Sequence, residues 1–215
     1  MFRFRPSRLS LACFFLFAVV SLLVVFGLTK RWDPHELQVI ATLRRPWLTT
    51  VMRQLSSLGN WQYEVPLALV VATLLWWRKR GTWARRYLAT CLSGEALYAL
   101  TKLVFHRPRP TVVSHLGEAG WYSYPSGHTM LALMVWGVGL MLVARLLNAY
   151  VAKLALWTIG LVLSLAIAAS RLYLGVHYPS DVLGAVFLGL AWVLLWRDPV
   201  LPPSKSATSS APATR

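Results

Sequence analysis

Charge is scarce in this sequence, and acid scarcest of all. Only 13% of the 215 residues are charged, and only 7 are aspartate or glutamate. A water-soluble domain carries about 25% charged residues, so most of this chain is not built to face water. There are two cysteines, Cys13 and Cys91, both inside apolar runs, which excludes a disulfide framework and a cysteine-based metal site. No cluster of carboxylates is spaced as metal ligands, and no segment repeats with a fixed period. What is abundant is apolar residue: 57% of the chain, with a mean hydropathy of +0.54. The net charge of +15 raises the possibility of nucleic-acid binding. The basic residues rule it out, because they sit in clusters between apolar runs, as membrane proteins distribute them. Such flanks favour anionic lipid headgroups.

A membrane-spanning helix needs about 20 mostly apolar residues. Six runs qualify: 9–29, 61–77, 87–105, 129–144, 154–170 and 178–196. The predicted fold class is therefore all-α, a six-helix transmembrane bundle forming one domain over 1–198. The segment 199–215 is rich in Pro, Ser, Ala and Thr and reads as a disordered cytoplasmic tail. The first run is too long for a signal-peptide core and no small-residue cleavage site follows it, so it reads as an anchor. Lysine and arginine set the orientation. With the N-terminus cytoplasmic, the inside holds the dense cluster Arg78, Lys79, Arg80, Arg85 and Arg86, and more than half of the 22 basic residues. All five histidines then fall outside, with the loops between the third and fourth runs and between the fifth and sixth. In the long first outer loop, Leu43, Trp47, Val51 and Leu55 recur at four-residue spacing. That predicts a helix, either amphipathic at the interface with Arg44, Arg45 and Arg53 facing water, or packed on the bundle.

Three segments place polar residues where a membrane protein avoids them. Lys102 sits near the outer end of the third run, followed by Arg107 and Arg109, each before a proline. Proline pushes the preceding residue out of the helical region, so the arginines lie on an extended segment, where a guanidinium fork matches phosphate oxygens. Next come Tyr124, Pro125, Ser126, Gly127 and His128, just before the fourth run. Backbone N–H groups at a helix start attract anions, Gly127 permits close approach, and His128 is placed to donate a proton. Third come Ser170, Arg171, His177, Ser180 and Asp181. Asp181, four residues after His177, reaches one ring nitrogen and leaves the other as nucleophile or base. Singly, each has an ordinary reading: snorkelling cations, a capped helix, a capping aspartate. Together they supply cations, an anion nest, one acidic histidine and one carboxylate-oriented histidine at one membrane face. That set meets the needs of phosphoryl transfer through a phosphohistidine.

These residues resemble the type 2 phosphatidic acid phosphatase family, which includes the vanadium haloperoxidases. The family pattern K-x6-R-P, P-S-G-H, S-R-x5-H-x3-D is matched by Lys102, Arg109 and Pro110; by Pro125, Ser126, Gly127 and His128; and by Ser170, Arg171, His177 and Asp181. The resemblance implies that His177 attacks phosphorus, Asp181 orients it and His128 protonates the leaving oxygen. It also implies that Lys102, Arg109, Arg171, Ser126 and Gly127 hold the phosphate, with no metal and no cofactor. The expected activity is hydrolysis of a lipid phosphate or diphosphate in a bacterial plasma membrane, at its outer or periplasmic face. Undecaprenyl diphosphate is the first candidate, and phosphatidylglycerophosphate or phosphatidic acid the next. A phosphotransferase using the same intermediate, a haloperoxidase and a non-catalytic scaffold are the competing readings. Glu95 shares a helix face with Lys102 and is open to pairing with a cation, an interior hydrogen bond or a substrate role. His106 and Arg107 adjoin the motif and are expected at the headgroup rather than in catalysis.

Overall fold

The computed structural model describes residues 6–196; the expected tail at 199–215 lies outside them. Among the described residues there are eight helices and no strand. These are α1 (Arg8–Val25), α2 (Trp32–Thr42), α3 (Pro46–Ser57), α4 (Trp61–Trp77), α5 (Gly81–Phe105), α6 (Gly127–Ala144), α7 (Tyr150–Tyr173) and α8 (Pro179–Leu195). Each of the six predicted runs is a helix, but the prediction of six membrane spans needs qualifying. Four helices, α1, α5, α6 and α7, are long and apolar enough to cross a membrane. The other two, α4 and α8, have 17 residues each, and α4 carries Glu64 in its first turn and Pro66 inside it.

The loop 30–60 forms two helices, not one. Arg45, before Pro46, is extended at φ −138° and ψ 148°, so Leu43 falls outside the helix that carries Trp47, Val51 and Leu55. α3 packs on the bundle through a different face, while Trp47 and Val51 of the apolar stripe stay exposed. Leu48 and Met52 of α3 and Ile40 of α2 cover Tyr173, Leu174 and Val176. Arg44 Nε donates to the Tyr173 carbonyl at 3.1 Å, and Arg53 Nε to the Leu116 carbonyl at 2.8 Å.

The central helix is α6, with 56% of its residues buried against 17–22% in the other three long helices. Its turn Leu133–Val138 is π-helical. There the Trp136 and Gly137 carbonyls approach Gly160 of α7, where a Cβ would lie 3.1 Å from the Trp136 oxygen. Small residues allow this approach where lipid supplies no hydrophobic drive between helices. α1 runs along α8, tied by Ser10 Oγ to the Ala191 carbonyl at 2.9 Å. The outward faces are apolar, with Phe15, Leu92, Val104 and Leu161 exposed, as lipid contact requires. The C-terminal ends of α5 and α7 and the N-terminal ends of α4, α6 and α8 gather at one end, roofed by α2 and α3. The basic α4–α5 turn lies at the other.

Candidate active site

His177 lies between α7 and α8, on a turn that needs a glycine two residues earlier. Gly175 has φ +76°, and a Cβ there would meet Arg44 Nη2 at 2.6 Å and the Ser114 carbonyl at 2.9 Å. Leu116 N–H donates to the Leu174 carbonyl at 2.9 Å, pinning the α5–α6 loop to this turn. The imidazole is almost fully buried and both ring nitrogens face a specific group. Nδ1 lies 3.5 Å from Asp181 Oδ2, and Nε2 lies 3.1 Å from Arg109 Nη1. A guanidinium only donates. Nε2 therefore offers its lone pair and the ring proton sits on Nδ1, towards the carboxylate. Burial pulls the His177 pKa from its ordinary 6.5 to about 3, against the opposing pull of Asp181. The ring is neutral near pH 7, with its Nε2 lone pair on the cationic side.

Asp181 stands at the third position of α8, where its carboxylate accepts the Tyr178 backbone N–H at 2.7 Å. The helix thus begins at Pro179, with Tyr178 rather than Ser180 or Asp181 at the cap position. Asp181 also accepts from Ser123 Oγ and, at 2.5 Å, from Arg107 Nη1. Arg107 corrects the expectation of a headgroup contact. Its other nitrogen binds Asp33 Oδ2 at 2.6 Å, and its guanidinium lies over the Tyr178 ring at 4.4 Å. Burial alone would lower its pKa, but the two carboxylates outweigh that and raise it. Asp33 in turn accepts from the Ser180 backbone N–H at 3.0 Å and from Ser180 Oγ at 2.6 Å. Nothing in the motif spacing points to Asp33. Its one signal is an acid in the first turn of a helix.

The three motif cations are held differently. Lys102 is buried, with Nζ on the Tyr122 carbonyl and 5.7 Å from the Tyr98 ring centroid. Arg109 donates to the carbonyls of Gly120 (2.5 Å), Trp121 (3.1 Å) and Val176 (2.6 Å). Burial lowers its pKa, partly countered by Asp181. Arg171 donates to Ser56 Oγ and, at 3.1 Å, to the Glu118 carbonyl, while its buried Nε has no partner. Neutral oxygens position all three, and none forms a carboxylate ion pair among the described residues. Their charge is left for an anion.

His128 lies in the first turn of α6 and donates from Nε2 to Asn60 Oδ1 at 2.8 Å. An amide oxygen accepts only, so Nε2 carries the proton. Arg171, His177, Arg109 and Lys102 are all near enough to act electrostatically on this ring. Ser126 occupies the cap position of α6, but its side chain does not cap. Its hydroxyl accepts from Thr129 Oγ1 at 2.9 Å and its N–H binds the Asp181 carbonyl at 3.1 Å. The expected anion nest is thus partly spent on joining α6 to α8. Gly127 also has another reason to be glycine: a Cβ would lie 2.8 Å from the Tyr98 ring. The sequence reading missed Asn60, Ser56 and Ser123 as well as Asp33, because polar residues in short loops carry no periodic signal.

Two cavities meet at the site. One, of about 480 Å³, opens at the α3–α4 turn and is lined by Arg53, Ser56, Asn60, His115, Glu118 and Arg171. The other, of about 640 Å³, runs between α4 and α5 from His128 and Gly127 past Tyr98, Leu92 and Leu69. Asn60 and Glu118 line both.

The model of the PAP2 superfamily matches residues 83–199, more than half of the chain. The chain belongs to the PAP2 superfamily. It is 29% identical over 180 residues to phosphatidylglycerophosphatase B of Bacillus subtilis, covering 82% of this chain and 87% of that one. It is 28% identical over 149 residues to an undecaprenyl-diphosphatase of Sulfolobus acidocaldarius, covering 68% and 67%. Among solved structures, the transmembrane PAP2-type phosphatidylglycerolphosphate phosphatase of B. subtilis superposes with a TM-score of 0.81 at 27% identity. That superposition covers 87% of this chain and 94% of the other. Aquifex aeolicus LpxE shares the fold alone, with a TM-score of 0.58 at 23% identity, over 76% and 94%. This PAP2 chain is an integral membrane protein, with its polar site at one end of the bundle.

Proposed function

We propose that this chain hydrolyses a lipid phosphate at the outer surface of a bacterial plasma membrane. The observation that carries the reading is the contrast among the cations. Arg107 is neutralised by Asp33 and Asp181, whereas Lys102, Arg109 and Arg171 rest on neutral oxygens around the His177 Nε2 lone pair. A phosphate bound there meets three unspent positive charges and an aimed nucleophile. In the proposed sequence, His177 Nε2 attacks phosphorus as the bond to the leaving oxygen breaks, and His128, held as imidazolium by the charge of the bound phosphate, passes its Nε2 proton to that oxygen and is left neutral. Asp181 stabilises the positive ring. Water then attacks the phosphohistidine, gives its proton to His128 and releases phosphate, restoring both rings. Ser126 and Gly127 support this pocket through the start of α6.

The groove between α4 and α5 is the path for the lipid chains, keeping them within the bilayer while the phosphate enters the cation pocket. In this reading α1 and α4–α8 all span the membrane, with both termini and the Arg78–Arg86 cluster cytoplasmic. The named relatives make phosphatidylglycerophosphate and undecaprenyl diphosphate the first substrates to try, with phosphatidic acid next. The test is phosphate release from a panel of lipid phosphates by detergent-purified protein, with ³²P retained on the protein after rapid acid-free quench. Release without any labelled histidine sinks the intermediate. No release from any lipid sinks the activity.

A further inference from the structure

The chain has seven acidic residues, and three of them, Glu64, Glu95 and Glu118, line the apolar groove. Glu64 is in the first turn of α4, and its residue is 5% exposed. Its Oε1 is buried without any hydrogen-bond partner. Glu95 lies ten residues before the outer end of α5, about 15 Å down the helix at 1.5 Å per residue. It forms no ion pair among the described residues, so of the three readings left open for it, pairing with a cation is not found. The two carboxyls are close enough to act on each other electrostatically. Tyr98 lines the same groove, within electrostatic reach of Glu95, Glu64 and Arg109, with Lys102 Nζ 5.7 Å from its ring centroid.

A first-turn acid favours the helix dipole, which explains why a glutamate is tolerated at 64. It does not explain a second carboxyl at depth on the same groove, or why the buried Oε1 of Glu64 is left unpaired there. A buried acceptor without a donor is a standing penalty unless a ligand supplies the donor. The polarity along the path is ordered: three cations at the phosphate, His128 at the leaving oxygen, then the two carboxyls, then apolar wall.

We propose that Glu64 and Glu95 form a second polar subsite that receives a hydrogen-bond donor, a hydroxyl or an ammonium, carried by the lipid just beyond its phosphorylated carbon. The subsite rests on the lipid-phosphatase reading above and narrows it. A leaving group bearing a donor fills the subsite. A leaving group bearing a second phosphate at that place, as in a prenyl diphosphate, meets two carboxyls instead.

The test uses three single-chain glycerol phosphates that differ only at the central carbon, which bears a hydroxyl, an amine or a hydrogen, together with a prenyl diphosphate. kcat/KM is measured for each in mixed micelles with the wild-type protein and with Glu64→Leu and Glu95→Leu. The wild type should prefer the hydroxyl or amine substrate to the deoxy analogue by about fivefold, the worth of a hydrogen bond. The hydroxyl and amine arms tell which donor the subsite takes. In Glu64→Leu the ratio should fall to about one, because turnover of the donor-bearing lipids drops to that of the deoxy analogue. Equal rates on all three in the wild type, or an undiminished ratio in both variants, overturns the proposal. So does a uniform fall on every substrate, which marks a purely structural role. Wild-type silence towards all four ends the phosphatase reading together with the subsite, whereas turnover without discrimination ends the subsite alone.

Discussion

Arg107 Nη1 lies 2.5 Å from Asp181 Oδ1, so one arginine of the Arg107–Arg109 pair braces the carboxylate from behind while the other faces the His177 ring. Two residues apart, they do opposite work. The proline after each keeps the chain extended, so the two side chains diverge.

Replacing Arg107 with alanine leaves Asp33 and Asp181 buried without their shared cation. Breaking such a buried pair costs about 3 kcal/mol or more. Thermal unfolding in detergent should show that loss. Lysine should not restore stability, because one ammonium cannot reach both carboxylates as the fork does.

His177→Ala should lower kcat by about a thousandfold or more, as losing a nucleophile does elsewhere. Asp181→Asn should slow turnover strongly without preventing phosphate binding. Vanadate inhibition measures the binding separately, and near-normal turnover by folded His177→Ala protein refutes the nucleophile assignment.

The depressed pKa of His177 fixes a pH dependence. Folding holds the ring neutral down to about pH 3, while the unfolded chain takes up its proton near 6.5. The contribution to stability is therefore complete above 6.5 and is lost as pH falls from there towards 3. A ring NMR signal for His177 should remain in the neutral position at pH 5. A ring that titrates near 6.5 contradicts the burial argument.

Asn60→Ala removes the acceptor that holds the proton of His128 on Nε2. The expected result is a fall in kcat of about tenfold, a fraction of what general acid catalysis contributes, with vanadate affinity unchanged. Asn60→Asp should instead move the alkaline limb of the pH–rate profile upward, by holding that proton more tightly. A merely structural Asn60 would move neither the profile nor kcat selectively.

Gly127→Ala should destabilise the protein by about 1–3 kcal/mol through overpacking against Tyr98. Tyr98→Leu in the same chain should recover part of it. Recovery separates a packing role for Gly127 from a role in binding anions.

Most of the fold was legible because lipid is a harsh solvent. Runs of the right length read directly as helices, and α4 was placed at 61–77, the bounds observed. α5 was begun six residues late, because Arg85 and Arg86 look like a loop by hydropathy yet continue the helix below the apolar zone. The site divides in the same way. The motif side chains converge because their spacings are tied to helix ends, and those ends can be read. The residues that support them could not be. Asp33, Ser56, Asn60 and Ser123 reach the site through tertiary contacts of single polar side chains, which leave no periodic trace.

The family match begins at residue 83, yet Asp33 grips the start of α8, Ser56 grips Arg171 and Asn60 grips His128. The motif-bearing segment is therefore not portable. A chimera that transplants it onto another protein's leading helices would carry every signature residue and still lack three of the clamps that aim them.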